Sequence, residues 1–352
     1  MPAIVDILPP RYRDARPIGA GGMGEIFCAT DRELGREVAL KILAARYAEN
    51  APLRARFERE ALAAARLSGT PNIVTIFDVT EHAGRPIIVM EYLPGGSLEA
   101  QIAGTPCPPA RALGWLEEAG GALDAAHAAG VVHRDVKPAN LLLDGRGHVH
   151  IADFGVASAV GLDSFTQTGT IVGTAGYLSP EQATGKRATA ASDRYALAVV
   201  AWELLTGRRP FAATTPTAEA LAHVNAPVPS PHEANPALPL ELAPVFERGL
   251  AKDPAARYPT AAEFVGDLHR ALDDAAGDTW IEPSRPATAV TRAAPMVARA
   301  GRRRWWIPVL AALLLAVGVA AALLAFRCAL DEEPHLRVAE GPTDLVLHLG
   351  HP

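Results

Sequence analysis

Three polar residues with complementary chemistry lie close together in the stretch VVHRDVKPANLL, which runs from residue 131 to 142. Asp135 is followed two positions later by Lys137 and five positions later by Asn140. A carboxylate can orient an attacking hydroxyl, an ammonium group can offset phosphate charge, and an amide oxygen can bind a hard cation. The stretch therefore predicts phosphoryl-transfer chemistry. A β-turn connector with incidental charges is the alternative that this stretch alone leaves open.

A second acidic motif follows at short range. Asp153 begins the tripeptide DFG eleven residues after Leu142, directly after an apolar segment at residues 148–152 that predicts a strand. Asn140 and Asp153 would then lie on adjacent turns of a hairpin. Two oxygen ligands in that position suit a cation that keeps water and phosphate as its other ligands. Mg²⁺ is the expected metal, and Mn²⁺ is a possible substitute in vitro.

A glycine-rich segment with the pattern G-x-G-x-x-G lies near the N-terminus. It consists of Gly19, Ala20, Gly21, Gly22, Met23 and Gly24. The same pattern can open a dinucleotide-binding helix, but that interpretation requires a following helix. Here the next residues, EIFCAT, predict a second strand, and Lys41 follows in a third. Because glycines lack Cβ atoms, such a hairpin allows backbone N–H groups to close over phosphates.

Several elements would position these residues. The segment 54–67, RARFEREALAAARL, predicts a helix that offers Glu58 and Glu60 as possible carboxylate partners for Lys41. The apolar run at residues 86–90 predicts a buried strand that ends at a hinge. Residues 108–130 predict a long helix packed under the loop that carries Asp135, and His127 in it is interpreted as structural.

Taken together, these motifs resemble the protein kinase superfamily. HRDVKPAN matches H-R-D-L-x-x-x-N except for Val136, and it is joined by VALK at residues 38–41, DFG, and Ser179-Pro180-Glu181 in place of A-P-E. The Lys-Pro pair after Asp135 is typical of the Ser/Thr branch. Over residues 12 to about 272 the chain resembles bacterial eukaryotic-like (Hanks-type) Ser/Thr kinases. Ser179 and the segment 68–70, where a His is frequent in the family, are departures that remove no chemical group.

The resemblance implies a bilobal α+β fold with ATP in the cleft between the lobes. Residues 12–93 would form a small antiparallel sheet plus one helix, and residues 94–272 a mainly helical lobe. Lys41 would bind the α and β phosphates, and Glu60 would be its partner. The other implied ATP-binding residues are Ile26 and Ala39 on the adenine, Met90 as gatekeeper, Glu91 and Leu93 through their backbone, and Leu142.

The resemblance also implies a regulatory segment and two structural contacts. Thr166 and Thr168 match the family's phosphorylated pair, and the sequence leaves open which dominates. Arg134 would bind the phosphate, and Thr174 would contact Asp135 and shape the substrate site. In the helical lobe, a buried pair between Glu181 and Arg257 and a contact from Asp193 to the backbone of residues 131–140 are the implied braces.

The last part of the chain differs in character. Residues 273–304 lack sustained periodicity and predict a mostly disordered linker. Residues 305–326 contain no charge, and as a helix they would reach roughly 33 Å, enough to cross a bilayer core of about 30 Å. Arginines at 302–304 and acidic residues at 331–333 predict that the kinase domain is cytoplasmic and that the tail at 327–352 lies outside the cell membrane.

Composition narrows the remaining possibilities. The 352 residues carry a formal net charge of -6, which argues against general nucleic-acid binding, and the first residues lack the apolar segment of a cleavable signal peptide. Three cysteines, Cys28, Cys107 and Cys328, are too few for a disulfide framework. A homodimer is expected because phosphorylation between copies requires two domains close together. Cys328, on the outer side, is open to an intermolecular disulfide, a free thiol or acylation.

Two other function classes remain as alternatives to a protein kinase with protein substrates. One is a nucleotide-binding pseudokinase that acts as a membrane scaffold. The other is a small-molecule phosphotransferase. The presence of Lys41, Glu60, Asp135, Asn140 and Asp153 argues against the first, and the threonine-rich segment with its Ser-Pro-Glu end argues against the second.

Overall fold

The computed structural model describes residues 7–20, 24–102, 104–154 and 175–279. Residues 1–282 form one compact unit. The described residues exclude Gly21–Met23 of the glycine-rich segment, the segment 155–174 with Thr166, Thr168 and Thr174, and everything after residue 279. The predictions for the linker, the membrane segment, the outer tail and Cys328 therefore lie outside the described residues.

The first lobe is built on a five-stranded antiparallel sheet in the order β1-β2-β3-β5-β4. Its strands are Tyr12–Ala20 (β1), Gly24–Asp31 (β2), Arg36–Leu43 (β3), Ile76–His82 (β4) and Arg85–Glu91 (β5). Along β3, Val38, Leu40 and Ile42 face one core, and the intervening residues face the other side of the sheet. This alternation, which follows from the pleat of a strand, directs Lys41 to the side where the helix and the cleft lie.

Two helices complete this lobe: a four-residue helix at Ala45–Ala48 (α1) and a longer one at Ala51–Ala65 (α2). Asn50 caps α2, because its Oδ1 accepts a hydrogen bond from the Leu53 N–H at 3.1 Å. Phe57 and Ala61, one turn apart, are buried against Leu43 and β5. The predicted helix at 54–67 is thus present, with bounds shifted towards the N-terminus.

The second lobe is mainly helical. Its helices are Leu98–Ile102 (α3), Pro109–Ala128 (α4), Pro180–Ala183 (α5), Ala190–Thr206 (α6), Pro216–Asn225 (α7), Pro231–Ala234 (α8), Leu242–Gly249 (α9) and Ala261–Thr279 (α10). Helix α6 is buried around nearly its whole circumference, as its apolar sequence requires. Helix α10 packs on α4, and Asp124 of α4 caps its first turn: the Asp124 carboxylate accepts the N–H groups of Ala261 at 2.9 Å and Ala262 at 3.0 Å.

A two-stranded hairpin, Leu141–Leu143 (β6) and Val149–Ile151 (β7), lies between the helical lobe and the sheet. Helix α4 holds this hairpin: the Trp115 indole donates to the Gly147 carbonyl at 3.0 Å, and Glu118 accepts the Val149 N–H at 2.6 Å. The hairpin therefore sets the positions of Asn140 before it and Asp153 after it. The long helix predicted under the loop of Asp135 is confirmed as α4, and the strand predicted at 148–152 is three residues long.

Helix α10 extends to Thr279, seven residues past the domain end predicted at residue 272. Within the described ranges, none of the helices combines the length and the apolar character needed to cross a membrane. The predicted small antiparallel sheet and mainly helical second lobe are both present.

Candidate active site

Asp193 holds the segment 131–140 in shape. Its carboxylate, which is 1% exposed in α6, accepts the backbone N–H groups of His133 at 2.8 Å and Arg134 at 2.7 Å. Arg134 has a φ of 73°, a left-handed conformation that is unfavourable for a residue with a Cβ. His127 Nε2 lies 2.7 Å from Asp193 Oδ2 and fixes the carboxylate from the other side. The predicted contact of Asp193 is confirmed, and His127 has the structural role expected of it.

Asp135 lies at the centre of a small polar cluster. Lys137 Nζ lies 2.7 Å from Asp135 Oδ2, and Asn140 Nδ2 lies 3.1 Å from the same oxygen. The Asn140 Nδ2 group also donates to the Asp135 carbonyl at 2.8 Å. Because both contacts that the Asp135 carboxylate makes with described side chains fall on Oδ2, its Oδ1 is the atom that suits a hydroxyl donor. Because the amide NH₂ of Asn140 is committed to Asp135, its oxygen is the atom that suits a cation.

Lys41 and Asp153 join the two lobes across the cleft. Lys41 Nζ lies 2.7 Å from Asp153 Oδ1, and Lys41 is 7% exposed. Burial raises the pKa of the Asp153 carboxyl, but the charge of Lys41 and its hydrogen bond outweigh burial, and the net pKa is lowered. The group is therefore a carboxylate, as a metal ligand must be. The side chain of Glu60 lies outside the described residues, so its pairing with Lys41 stays a prediction.

His133 is a site residue that the motifs alone did not single out. Its Nε2 lies 2.8 Å from the Ala152 carbonyl oxygen, and its Nδ1 accepts the Asp135 N–H at 3.2 Å. Its ring also meets Phe154 edge-on, with centroids 4.7 Å apart. His133 therefore ties the segment of Asp135 to the DFG segment, and its place before Arg134 in HRD was the available signal.

An apolar cluster between the sheet and the β6–β7 hairpin supports the predicted nucleotide cleft. Its members are the predicted residues Ile26, Ala39, Met90, Leu93 and Leu142, together with Val74, Ile76, Tyr92 and Ala152, which sequence reasoning missed. A cluster supplied by both lobes is suited to cover the two faces of a flat ring. The Glu91 N–H donates to the Thr75 carbonyl at 2.9 Å, so this N–H is occupied, and backbone binding of a ligand by Glu91 stays a prediction.

At one described end of the glycine-rich segment, Gly24 has no room for a side chain. A Cβ at Gly24 would overlap the Ile42 carbonyl oxygen, because β2 and β3 approach closely there. Gly19 and Ala20 are exposed at the end of β1 and pair with Ile26 and Glu25. The described order of β1, β2 and Lys41 in β3 is the predicted one, and binding of phosphate by the glycine-rich segment stays a prediction.

Glu181 and Arg257 form the predicted structural pair. Two hydrogen bonds of 2.8 Å join them, and Ser192 Oγ donates to Glu181 at 2.6 Å. Burial raises the pKa of Glu181, but the donors from Arg257 and Ser192 outweigh it and hold the pKa at about 2. The ordinary value is 4.5, so the pair stabilises the fold above pH 4.5 and loses this contribution as the pH falls towards about 2.

Ser179, which departs from the family pattern, has a local structural role. Its Oγ caps the short helix α5 in a capping box with Gln182. The Gln182 Nε2 group then donates to the Arg134 carbonyl at 2.9 Å. The serine thus helps to connect the segment before Glu181 to the backbone next to Asp135.

Comparisons with known proteins agree with this geometry. A family model described as "Protein kinase domain" matches residues 12–267. The chain is 43% identical over 264 residues to the serine/threonine-protein kinase PrkC of Bacillus subtilis, covering 75% of this chain and 41% of that protein. It is 42% identical over 263 residues to PknD of Mycobacterium tuberculosis, covering 74% and 40%. The chain therefore spans about two fifths of the length of these relatives.

Solved structures give the same result. The crystal structure of the PknI kinase domain of Mycobacterium tuberculosis superposes with a TM-score of 0.60 at 29% identity. The superposition covers 77% of this chain and 99% of that structure.

We expect Asp193→Asn to lower kcat for phosphoryl transfer from MgATP by at least about tenfold, which corresponds to about 1.4 kcal/mol. An amide in this position turns its NH₂ towards backbone donors, and a hydrogen bond to a charged group contributes about 1.5–3 kcal/mol. Asp124→Asn is the matched control, because Asp124 also accepts two backbone N–H groups but does so at α10. The control should lower stability while the folded fraction keeps its turnover. Wild-type kcat in Asp193→Asn would contradict the role of this carboxylate.

Proposed function

The chain belongs to the protein kinase family, and we propose that it is an ATP-dependent serine/threonine protein kinase anchored in the cell membrane. The observation that carries the proposal is the convergence of four groups at one cleft. Lys41 contacts Asp153 at 2.7 Å, and Asp135 contacts Asn140 at 3.1 Å. All four residue types are those that transfer of a γ-phosphoryl group to a hydroxyl requires.

Asp135 would position the acceptor. The hydroxyl of a serine or threonine donates its proton towards Asp135 Oδ1, while Lys137 and Asn140 hold Oδ2. The hydroxyl oxygen then forms its bond to the γ-phosphorus as the bond to the bridging oxygen of ADP breaks. The proton leaves through the Asp135 carboxylate, and the ammonium group of Lys137 offsets the charge that develops beside it.

Three further residues would hold the nucleotide. MgATP, when bound, supplies the transferable phosphoryl group. The donor set fits a hard cation, because Asn140 offers an amide oxygen and Asp153 a carboxylate. Lys41, nearly buried in β3, would orient the phosphates by its charge, and the apolar cluster around Met90 and Ala39 would exclude water from the adenine.

The rival interpretation is a nucleotide-binding scaffold without transfer activity. We expect the full chain, incubated with MgATP, to phosphorylate itself on serine or threonine. Lys41→Met removes the ion pairing to the phosphates and Asp153→Asn removes a metal ligand, so each should lower autophosphorylation by at least about a hundredfold, or about 2.7 kcal/mol. Lys186→Met, at an exposed lysine in the helical lobe, is the control and should retain wild-type activity. Phosphorylation that persists in both active-site variants, with a contaminating kinase excluded, would favour the scaffold.

We also propose that phosphorylation of Thr166 or Thr168 switches the enzyme on. Arg134 directly precedes Asp135, and its buried Nε atom has no hydrogen-bond partner among the described residues. A phosphate on the threonine-rich segment is a suitable partner, because a guanidinium binds phosphate through charge-assisted hydrogen bonds. Such a contact would order the segment beside Asp135.

The double variant Thr166→Ala/Thr168→Ala should lower turnover of an added protein substrate by at least about tenfold, on the order of 1.4 kcal/mol. Thr170→Ala, in the same segment, is the control and should have a smaller effect. Mass spectrometry of the wild type identifies which threonine carries phosphate. If a wild-type preparation stripped of phosphate is as active as the phosphorylated one, the switch does not exist.

Membrane anchoring and dimerisation complete the proposal. The uncharged segment 305–326 has the length of a bilayer span, and arginines at 302–304 favour a cytoplasmic kinase domain with the tail outside. Two copies tethered to one membrane have a high local concentration, which favours phosphorylation between them. Cys328 would lie on the oxidising side, where a disulfide between two copies can form.

Carbonate-washed membranes should retain the full chain, and a variant lacking residues 305–326 should be released. On non-reducing gels a band at twice the monomer mass should disappear with reductant and in Cys328→Ser. Cys107→Ser is the control, because Cys107 lies within the folded unit. Release of the full chain by carbonate would overturn the anchor, and a band that survives Cys328→Ser would overturn the disulfide.

A further inference from the structure

Arg209 lies in the connection between helices α6 and α7 and crosses the short segment Ala175–Tyr177. A Cβ placed at Gly176 would overlap Arg209 Nη1 and would lie 2.8 Å from Cζ and 2.9 Å from Cδ. The guanidinium and its stem therefore lie flat against the Gly176 backbone. Only glycine at position 176 leaves room for this arrangement. The inference drawn from it rests on the proposed kinase function.

The other end of the contact is Glu219 in helix α7. Arg209 Nη1 lies 2.6 Å from Glu219 Oε1, and the two side chains are 31% and 9% exposed. Burial raises the pKa of Glu219, and the charge of Arg209 acts against that rise. A buried carboxylate that loses its cation is strongly unfavourable, so the two residues depend on each other. Through this pair, helix α7 is connected to the segment Ala175–Tyr177, against which it also packs.

The same guanidinium also lies near the ring of Tyr177, with Cζ 5.9 Å from the ring centroid. The Tyr177 hydroxyl donates to Glu203, which projects from the buried helix α6. Tyr177 is thus held at its ring by Arg209 and at its hydroxyl by Glu203. Two contacts therefore fix the orientation of this half-buried tyrosine.

Tyr177 and Glu203 line a cavity of about 160 Å³ together with Pro138. Pro138 lies three residues after Asp135, so this cavity adjoins the segment that carries the proposed catalytic carboxylate. A polypeptide that presents a hydroxyl to Asp135 would lie near these lining residues, because Pro138 belongs to the same loop as Asp135. The described contacts of Arg209 and Tyr177 are separate from those on the nucleotide side. Lys41 pairs with Asp153, and the apolar cluster around Met90 contains neither Arg209 nor Tyr177.

We propose that Arg209 is a positioning residue for the polypeptide substrate. Its ion pair with Glu219 holds the segment Ala175–Tyr177 against the cavity beside Pro138, and so determines how the substrate backbone lies relative to Asp135. Among the described residues, no ion pair or ring contact joins Arg209 to Lys41, Asp135 or Asp153. Its loss should therefore weaken binding of the polypeptide and leave binding of ATP unchanged.

The test uses the full chain and a synthetic peptide with the sequence DSFTQTGT, residues 163–170 of this protein, as phosphate acceptor. Arg209→Gln and Glu219→Gln should each raise the KM for the peptide roughly tenfold, with the KM for ATP within about twofold of wild type. The double variant should be no worse than either single one, because the two residues act as one unit. Arg209→Lys, which keeps the charge, should restore most of the affinity for the peptide.

Arg208→Gln is the matched control. Arg208 is the neighbouring arginine and is exposed, and the hydrogen bond that its side chain makes among the described residues goes to the Glu233 carbonyl, at 3.5 Å. It should keep the wild-type KM for the peptide. If Arg209→Gln does not fold, the double variant, which leaves no unpaired charge, is measured by the same criteria.

A peptide KM in Arg209→Gln equal to that of Arg208→Gln would overturn the inference. An equal rise in both KM values would also overturn it, since it would indicate general damage to the fold. If the wild type phosphorylates neither the peptide nor itself, the proposed function fails first, and that result differs from either of these.

Discussion

The hydrogen bonds of the Asp193 carboxylate are the interaction on which the rest of the site depends. A buried acceptor in helix α6, most of whose residues are buried, binds two successive N–H groups, one of which belongs to a residue with a φ of 73°. A left-handed non-glycine residue costs about 1–3 kcal/mol. Hydrogen bonds to a charged acceptor contribute about 1.5–3 kcal/mol each, so two of them suffice to hold the strained backbone. The direction of Asp135 follows from that backbone.

The nucleotide side of the site depends on a different constraint, the alternation of side chains along β3. Val38, Leu40 and Ile42 bury one face of the sheet, so Lys41 must point to the other, where Asp153 lies 2.7 Å away. Asp153 itself has a φ of 60°, and the His133 contacts with Ala152 and Phe154 fix the chain on either side of it. His133 therefore contacts the residues next to both strained positions, Arg134 and Asp153.

Much of this arrangement could be predicted because chemistry and spacing are local. Asp135, Lys137 and Asn140 fall on one short loop, and the polar cluster they form joins residues of that loop. The contacts of His133, the apolar contributions of Val74 and Ala152, and the path of Arg209 across Gly176 join residues far apart in sequence, which no local pattern encodes. The start of α2 differs from the prediction because the side chain of Asn50, four residues before the predicted start, caps the helix at the Leu53 N–H.

The cap that Asp124 provides for α10 also bears on the order in which the molecule can assemble during its synthesis. The hydrogen bond to Ala261 spans 137 positions of sequence, and the brace on Arg134 spans 59. A ribosome must therefore release residue 193 before the loop of Asp135 can take its shape. It must release residue 262 before Asp124 of α4 can cap α10. Contacts of such long range form slowly and late. A nascent chain that already contains every proposed catalytic residue would thus remain without an assembled site until helix α6 has emerged.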